Sequence, residues 1–138
     1  MPYFNDDQEV YRYLGRLFLD LLADEELARQ FRTANTVVQY RYRKPESQIT
    51  VKLLEGEDGQ VDLGATQLEP EVVMTMDADV AHRFWLGKVN VTVALARGQI
   101  KTKGPVAKIL KLVPLVKPVF PRYRAQLEAA GRSDLAEV

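Results

Sequence analysis

Residues 72–104 read VVMTMDADVAHRFWLGKVNVTVALARGQIKTKG, and this stretch shows how strands and helices are combined in the chain. Its first part, residues 72–76, alternates between two sets of side chains with a period of two, which predicts a β-strand. Asp77 and Asp79 follow directly and offer caps for a short helix. Gly87 is placed to end that helix in a left-handed conformation, which glycine adopts without a steric penalty. The first half of the stretch therefore predicts a strand followed by a capped helix.

The second half of the stretch contains another short helix and another strand. Residues 90–97 fit a helical piece that ends at Gly98. Residues 99–103 then alternate again and place Ile100 on one face of a predicted fifth strand. Gly104 ends this strand and starts the last segment of the chain.

The chain upstream of this stretch begins with a helix. Apolar residues recur there at steps of three and four and form one stripe, which is typical of an amphipathic helix. The stripe comprises Val10, Leu14, Leu17, Phe18, Leu21 and Leu22. Asn5, Asp6 or Asp7 is expected to cap its first turn. A bend is expected near Asp24, which caps a second helical piece over residues 24–34.

Three strands are predicted between these helices and the quoted stretch. In residues 36–42 one face is apolar or aromatic, and the alternate side chains are polar or charged. Residues 49–53 and 61–63 alternate in the same manner, and a turn with an Asp-Gly pair joins them at residues 55–59. Consecutive strands joined by short turns, with helices before and after, predict an α+β fold. We expect a five-stranded, mainly antiparallel sheet with helices packed on one side.

The segment from residue 106 to residue 120 is unusually dense in apolar side chains. A long unbroken helix is not expected around it because of three prolines, Pro114, Pro118 and Pro121. Residues 122–130 are expected to add a final helical turn or two, and the tail over residues 131–138 is expected to be loose. The predicted organisation is a single domain over residues 1–130 followed by this tail.

The composition argues against several classes of function. The 138 residues carry 19 basic and 19 acidic side chains, so the basic surplus of a nucleic-acid-binding protein is absent and no nucleic acid is expected as a partner. The chain has no cysteine and one histidine, so neither thiolate catalysis nor a metal or other cofactor is expected. No stretch approaches the ~20 apolar residues that cross a bilayer. The polar residues 1–7 do not resemble a secretory signal, and a cytoplasmic location is expected.

The order of features from Val72 to Leu112 resembles the sterol carrier protein 2 (SCP-2) domain family. The features are a strand, an Asp-capped short helix, Phe84-x-x-Gly87-Lys88, Ala94, Gly98 and Ile100-Lys101-Thr102-Lys103-Gly104. In that family one helix ends in Gly-Lys, a second short helix ends in Gly, and a strand alternating with lysine leads to a Gly at the last helix. The resemblance covers the whole chain in element order, and this stretch is its distinctive part.

The resemblance implies an α+β fold in which a five-stranded sheet and its helices enclose an apolar cavity. Members of the family bind or transfer sterols, fatty acids, acyl-CoA, phospholipids or quinone-like lipids, and they use no metal. Two departures concern the cavity wall. Leu95 stands where many relatives carry an aromatic residue, and the segment with three prolines replaces a simpler terminal helix.

The resemblance and the apolar surplus together predict non-catalytic binding of a lipid in an internal apolar tunnel. A sterol, a fatty acid, an acyl-CoA or an isoprenoid-like molecule is expected. The candidate lipid-binding residues are Leu17, Phe18, Leu21, Phe84, Trp85, Ile100, Ile109, Leu112, Val113, Val116 and Phe120. Residues 106–120 are expected to line one wall and to swing away when the lipid enters. The alternative is that this segment is an ordinary buried C-terminal element or a dimer contact.

The size of such a pocket leads to an expectation about the protein without ligand. Ligand pockets usually reach roughly 300 Å³ or more, and an empty cavity of that size would cost on the order of 7 kcal/mol. This cost is comparable to the stability of a whole domain. The ligand-free protein is therefore expected to collapse partly or to hold an adventitious lipid.

Other residues have two interpretations. Met74 and Met76 either supply a deformable wall or are core residues of their strand. Seven basic residues either meet a phosphate headgroup or an anionic membrane surface, or form a solvated face beside an edge strand. They are Lys101, Lys103, Lys108, Lys111, Lys117, Arg122 and Arg124. His82 is expected to lie on the surface of its helix. A catalytic role for it is not expected, because neither Ser47 nor Ser133 has the context of a catalytic serine.

A protein-interaction module is the main alternative function. In that case the excess apolar surface would form a homodimer or dock on an enzyme of lipid metabolism. A transient contact with a membrane surface is a further expected interaction. No residue is predicted to be catalytic.

Overall fold

The computed structural model of the chain describes residues 2–138. Over these residues, helices begin and end the chain, and five strands lie between them. The helices are α1 (Asp7–Val10), α2 (Arg16–Ala23), α3 (Glu25–Phe31), α4 (Ala78–Trp85), α5 (Val91–Ala96), α6 (Ala107–Leu110), α7 (Val119–Ala129) and α8 (Ser133–Ala136). The strands are β1 (Thr36–Arg43), β2 (Ser47–Leu53), β3 (Gln60–Leu63), β4 (Val72–Asp77) and β5 (Lys101–Lys103). In this described part of the chain, no helix has the length and apolar character that crossing a membrane requires.

β1 lies at the centre of the sheet, whose strand order is β3-β2-β1-β4-β5. β1 pairs with β2 in antiparallel orientation, with Thr36 opposite Leu53, and the pairs β2–β3 and β4–β5 are antiparallel as well. β1 and β4 are parallel. Residues 64–71 lead from the end of β3 back across the sheet, so that β4 begins beside the start of β1. The predicted α+β fold with a five-stranded, mainly antiparallel sheet is confirmed, and its one parallel pair lies at the centre.

The two faces of the sheet differ in polarity. Alternate side chains of the three central strands point to the face that the helices cover. There they belong to the core or pack against it. These side chains are Val38, Tyr40 and Tyr42 of β1, Ile49, Val51 and Leu53 of β2, and Val72, Met74 and Met76 of β4. The opposite face carries mainly polar and charged residues, among them Gln39, Arg41, Thr50, Lys52, Thr75, Lys101 and Lys103.

The N-terminal helical segment begins with a carboxylate cap, as expected. Asp6 accepts a hydrogen bond from the backbone N–H of Glu9 at 2.9 Å, and the Glu9 side chain accepts one from the N–H of Asn5 at 2.8 Å. This reciprocal pair satisfies amide groups that the first helical turn leaves free. A π-helical turn over Tyr11–Gly15 joins α1 to α2. The predicted bend lies at Asp24, whose side chain caps α3.

The start of α4 differs from the expectation at Asp77. This residue holds the N-cap position, but its carboxylate makes no capping hydrogen bond. The strand register places Arg43 opposite Asp77, and the Arg43 Nε lies 3.3 Å from the Asp77 Oδ1, so an ion pair takes the place of the cap. Asp79 accepts a hydrogen bond from the backbone N–H of Tyr3 at 2.9 Å. Gly87 has a φ of +80° after the helix, as predicted.

Residues 106–118, called the proline segment below, form short pieces instead of one helix, as predicted. α6 is a single turn, and a 3₁₀ turn follows over Val113–Leu115. α7 then begins at Val119 and is longer than the expected turn or two. Pro121 does not prevent this because it lies in the first turn of α7, where the backbone N–H has no helical partner.

The structure corrects the expectation of a loose tail after residue 130. Leu135 and Ala136 on α8 are 3% and 0% exposed and belong to the core. The Leu135 carbonyl contacts His82, and Lys88 contacts the backbone oxygen of Val138. A single turn with two apolar residues carries no periodicity, and its partners lie far away along the chain. The sequence pattern therefore did not reveal this packing.

His82 is buried, which contradicts the expectation of a surface histidine. Its ring is 0% exposed and packs against the rings of Tyr3, Phe4 and Tyr123 at centroid distances of 5.3, 5.2 and 5.5 Å. Nε2 lies 2.8 Å from the Leu135 carbonyl, which only accepts, so Nε2 carries the proton. Nδ1 therefore accepts a hydrogen bond from the Tyr123 hydroxyl at 2.7 Å. Burial lowers the pKa of His82 below its ordinary value of 6.5, which keeps the ring neutral at physiological pH.

Gly104 lies at a point where two parts of the backbone touch. Its φ is +90°, and a Cβ at this position would lie 2.1 Å from the carbonyl oxygen of Glu71. Gly98 also has a positive φ of +74°, but a Cβ there would meet no atom within 4 Å. The chain can therefore leave β5 past the start of β4 only with glycine at position 104.

The substitution Gly104→Ala is expected to destabilise the protein much more than Gly98→Ala. Both variants carry the cost of a left-handed conformation, about 1–2 kcal/mol. Only Gly104→Ala adds a clash with backbone that cannot rotate away, and its total loss should exceed about 4 kcal/mol. Urea unfolding of the two variants measures both free energies of unfolding. Equal losses would contradict the close approach at Gly104.

The burial of His82 is expected to make stability depend on pH. Because burial lowers the pKa of His82 in the folded protein, the unfolded chain takes up the proton first as the pH falls. This contribution to stability is complete above pH 6.5, the ordinary pKa, and decreases below it. The urea concentration at the midpoint of unfolding should decrease when the pH is lowered from about 7.5 to about 5.5. The fall should be smaller in His82→Gln, and equal falls in both proteins would assign the effect to another group.

Candidate functional site

An apolar cavity lies between the covered face of the sheet and the helices. It has a volume of about 60 Å³ and is bounded by the central strands, by α2 and α4, and by the proline segment. The lining residues are Phe18, Leu21, Phe31, Tyr40, Tyr42, Val51, Leu53, Met74, Met76, Ala81, Phe84, Trp85, Val91, Ile100, Ile109, Leu110, Leu112, Val113 and Val116. The polar side-chain atoms in this set are two tyrosine hydroxyls and one indole N–H. The wall therefore suits contact with an apolar molecule.

The cavity is smaller than a usual ligand pocket of roughly 300 Å³ or more. At about 24 cal/mol per Å³, a void of this size costs on the order of 1–2 kcal/mol, which a domain can tolerate. Its volume agrees with the expected partial collapse of the ligand-free protein. A molecule of lipid size can enter only if one wall moves outward.

Aromatic rings form the wall that joins the sheet to α2 and α4. Phe18 stacks on Tyr40 at a centroid distance of 5.2 Å and meets Trp85 edge-on at 5.7 Å. Trp85 in turn meets Phe84 edge-on at 5.0 Å, and Tyr40 stacks on Tyr42 at 6.3 Å. Such geometries are favourable for aromatic pairs. The rings therefore contact one another across three elements of the fold.

The proline segment forms the opposite wall and is held by weaker backbone bonds. The N–H groups of Leu110 and Lys111 bond to the carbonyl four residues earlier, but those of Lys108, Ile109, Leu112, Leu115 and Val116 bond to the carbonyl three residues earlier. Such bonds have poorer geometry than those of an α-helix. Among the lining residues, Val113 of this segment is 37% exposed, whereas Tyr40, Phe84, Val91 and Leu110 from several walls are half-buried. The most exposed lining residue therefore lies on this wall.

Two lysines connect the beginning of the proline segment to the rest of the protein. Lys108 Nζ lies 2.9 Å from the carboxylate of Glu71, which also accepts a hydrogen bond from the Thr36 hydroxyl at 2.6 Å. The hydrogen bond from Thr36 and the neighbouring Lys108 lower the pKa of Glu71. Lys111 donates to the backbone oxygen of Thr33 at 2.9 Å. Because Lys108 and Glu71 are partly exposed, this contact positions the segment without making it rigid.

Nine of the eleven residues proposed from the sequence line this cavity. They are Phe18, Leu21, Phe84, Trp85, Ile100, Ile109, Leu112, Val113 and Val116. Leu17 is turned away and borders a second depression together with Leu27 and Val119, because neighbouring residues on a helix point about 100° apart. Phe120 lies outside the lining and packs edge-on against Phe84 at 5.9 Å. The structure brings the other nine side chains together around one space, and their contact with a lipid stays a prediction.

The sequence-based set contained no residue of the three central strands, although Met74 and Met76 had been considered as a deformable wall. The strand residues in the lining are Tyr40, Tyr42, Val51, Leu53, Met74 and Met76. A signal for them existed, since alternation with a period of two had placed all six on one face. Phe31 and Ala81 also line the cavity, but no local pattern distinguishes them from other core residues of their helices.

The hydroxyl of Tyr42 stands out among the polar atoms around the cavity. Tyr42 is 2% exposed, and its hydroxyl has no hydrogen-bond partner within residues 2–138. Burial, with smaller contributions from Tyr40 and Tyr123, raises the pKa of Tyr42 well above its ordinary value of 10.0. Burial also raises the pKa of Tyr40. Both phenols are neutral at physiological pH, and the cavity wall carries no charge.

Five of the seven basic residues singled out in the C-terminal third fall into two groups. Lys108, Arg122 and Arg124 form ion pairs with Glu71, Asp24 and Glu137, respectively. Lys101 and Lys103 lie on the edge strand β5, opposite Thr75 and Val73, and so on the sheet face away from the cavity. Neither of these two lysines can orient a molecule inside the cavity. Across residues 2–138, no three His, Cys, Asp or Glu side chains converge as metal ligands would.

Comparison with known proteins gives a family match and similar structures. The model of the SCP-2 sterol transfer family matches residues 16–117. A curated protein from Mus musculus, hydroxysteroid dehydrogenase-like protein 2, is 28% identical over 115 residues, which is 83% of this chain and 22% of that protein. The chain thus spans about a fifth of the length of this relative.

Two solved structures of similar fold cover most of the chain. The sterol carrier protein domain 2 of Helicoverpa armigera has a TM-score of 0.67 at 22% identity, covering 88% of this chain and 95% of that one. The palmitated SCP2L2 of Aedes aegypti has a TM-score of 0.54 at 22% identity, covering 78% and 94%. At this level of identity, the comparison shows that the fold is similar.

The amide hydrogens of the proline segment are expected to exchange faster than those of β1 and α7. The segment is held by single turns, whereas β1 is hydrogen-bonded on both sides and α7 has regular helical bonds. We expect exchange at least about tenfold faster, because short turns open locally at low cost. Hydrogen exchange followed by NMR or mass spectrometry measures the rates. Protection equal to that of β1 would contradict a movable wall.

Proposed function

Since the chain belongs to the SCP-2 sterol transfer family, we propose that it binds a lipid without catalysis in the cavity between sheet and helices. The observation that carries this proposal is the cavity lining, which consists of apolar and aromatic side chains from every layer of the fold. Each 100 Å² of apolar ligand surface removed from water contributes about 2.5 kcal/mol. Burial of an acyl chain or a polycyclic body is therefore the driving force of binding.

Entry of the lipid would occur by outward movement of the proline segment. This wall combines weak single turns with the most exposed lining residue, Val113, whereas the wall at Trp85 is held by ring contacts. An outward shift would expose apolar side chains that the ligand then covers again. The cost of opening is thus offset by the contact that the lipid makes.

A sterol, a fatty acid, an acyl-CoA or an isoprenoid-like molecule fits this proposal. One of the similar structures is a palmitated protein, which supports a fatty acid as one candidate. An apolar wall selects mainly by size and shape and discriminates weakly between such ligands. Transient contact with a membrane surface during loading, and a cytoplasmic location, remain predictions.

The alternative of a homodimer or an accessory module has less support. The large apolar side chains that are exposed among residues 2–138 are Leu19, Leu63, Val93 and Val113. They belong to α2, β3, α5 and the proline segment, respectively, and a stable homodimer needs a continuous apolar patch. The apolar surplus noted in the sequence lies mainly inside the core and the cavity wall.

A substitution that fills the cavity is expected to block lipid binding. Ala81 is 3% exposed and lines the cavity, so Ala81→Met would place a flexible apolar side chain in the space that the ligand needs. The dissociation constants for palmitate and cholesterol should rise at least about tenfold. Titration followed by the fluorescence of Trp85, the single tryptophan, measures them.

Ala125→Met is the matched control for this experiment. Ala125 is exposed on α7, so the same substitution there should leave both dissociation constants unchanged. Mass spectrometry of organic extracts from the purified wild-type protein should also detect a co-purified lipid. Absence of lipid from the extract, together with no response to either ligand, would overturn the proposed function.

A further inference from the structure

We propose that Tyr42 is a hydrogen-bond donor to a neutral oxygen of the bound lipid, a hydroxyl or carbonyl oxygen that enters the cavity first. The inference rests on the proposed function, because it concerns a ligand in the same cavity. It starts from two independent observations at one residue. Tyr42 lines the cavity, and its buried hydroxyl has no hydrogen-bond partner in the described residues.

A buried hydroxyl without a partner is unfavourable, because it has given up its bonds to water and received nothing in return. Tyr40 and Tyr123 are close enough to affect the pKa of Tyr42, but neither hydroxyl lies within hydrogen-bond distance of the Tyr42 hydroxyl. An oxygen atom of a molecule in the cavity can supply the missing partner.

The surroundings of Tyr42 determine which kind of oxygen is suitable. The neutral phenol acts as a donor, since burial raises the pKa of Tyr42. No lining residue is charged, so a carboxylate would lose its hydration in exchange for one hydrogen bond. A hydroxyl or carbonyl oxygen loses much less on leaving water. We therefore assign a neutral, oxygen-bearing lipid to this subsite.

The same reasoning determines the orientation of different ligands. A lipid with a neutral oxygen at one end would place that end at Tyr42 and leave its hydrocarbon towards the proline segment. A free fatty acid would enter with its methyl end first and keep its carboxylate near Val113, where the wall is 37% exposed. The hydroxyl of Tyr42 then stays unpaired, so fatty acids gain nothing from this contact.

The test compares 2-dodecanone with dodecane, two probes of similar shape that differ by one carbonyl oxygen. Both are titrated into the wild-type protein, Tyr42→Phe and Tyr3→Phe, with Trp85 fluorescence as the readout. The ratio of the dodecane dissociation constant to the ketone dissociation constant should be about tenfold larger in the wild type than in Tyr42→Phe, because only the wild type offers a donor to the carbonyl oxygen. The affinity for dodecane itself should be the same in both proteins. Tyr3→Phe, which removes a hydroxyl from a tyrosine outside the cavity lining, should leave this ratio unchanged.

The outcomes separate this inference from the proposed function. If the wild type binds neither the two probes nor palmitate or cholesterol, the proposed function fails. If the ratio of the two dissociation constants is the same in the wild type and in Tyr42→Phe, the inference alone is overturned. Thermal unfolding without ligand gives a second measurement, and Tyr42→Phe should melt no lower than the wild type. A lower midpoint would show that the hydroxyl is already bonded in the ligand-free protein, which also overturns the inference.

Discussion

The apolar face of the three central strands must be kept from water, and the arrangement of the helices follows from this constraint. α2 and α4 cover part of the face with regular turns whose rings contact one another and Tyr40. The remaining part is covered by the proline segment, which cannot form a regular helix. The cavity lies where the cover changes from regular helices to single turns. Its position is thus a consequence of how the prolines divide the C-terminal chain.

A buried imidazole joins three helices on the side of α4 that faces away from the cavity. His82 on α4 is bonded to Tyr123 on α7 and to Leu135 on α8, so three helices meet at one ring. Ala81 and Trp85 of the same helix face the cavity. α4 is therefore held by polar contacts on one side and offers an apolar surface on the other. Under the proposed function, the proline segment is therefore the wall that would yield to a ligand.

The sequence predicted the elements of this fold well because their patterns are local. The alternation in residues 72–76, the cap at Asp24 and the break at the prolines each depend on neighbouring residues, and the structure contains all three. The parallel pairing of β1 with β4, the burial of His82 and the packing of Leu135 depend on partners that are distant along the chain. For the site, the helical stripe indicated Phe18 and Leu21, but it could not tell that Leu17 points elsewhere. Such errors arise where side-chain direction, and not hydrophobicity, decides the contact.

The parallel pair at the centre of the sheet also affects the order in which the nascent chain can fold. β1, β2 and β3 pair with their neighbours in sequence, so this hairpin meander can form early. The chain must then cross the whole meander before β4 can pair with β1. The contact between His82 and Leu135 spans 53 residues. During synthesis part of the apolar face stays uncovered until the proline segment has left the ribosome. Under the proposed function, a hydrophobic molecule present at that moment would be enclosed as the cover is completed, before any wall has to open.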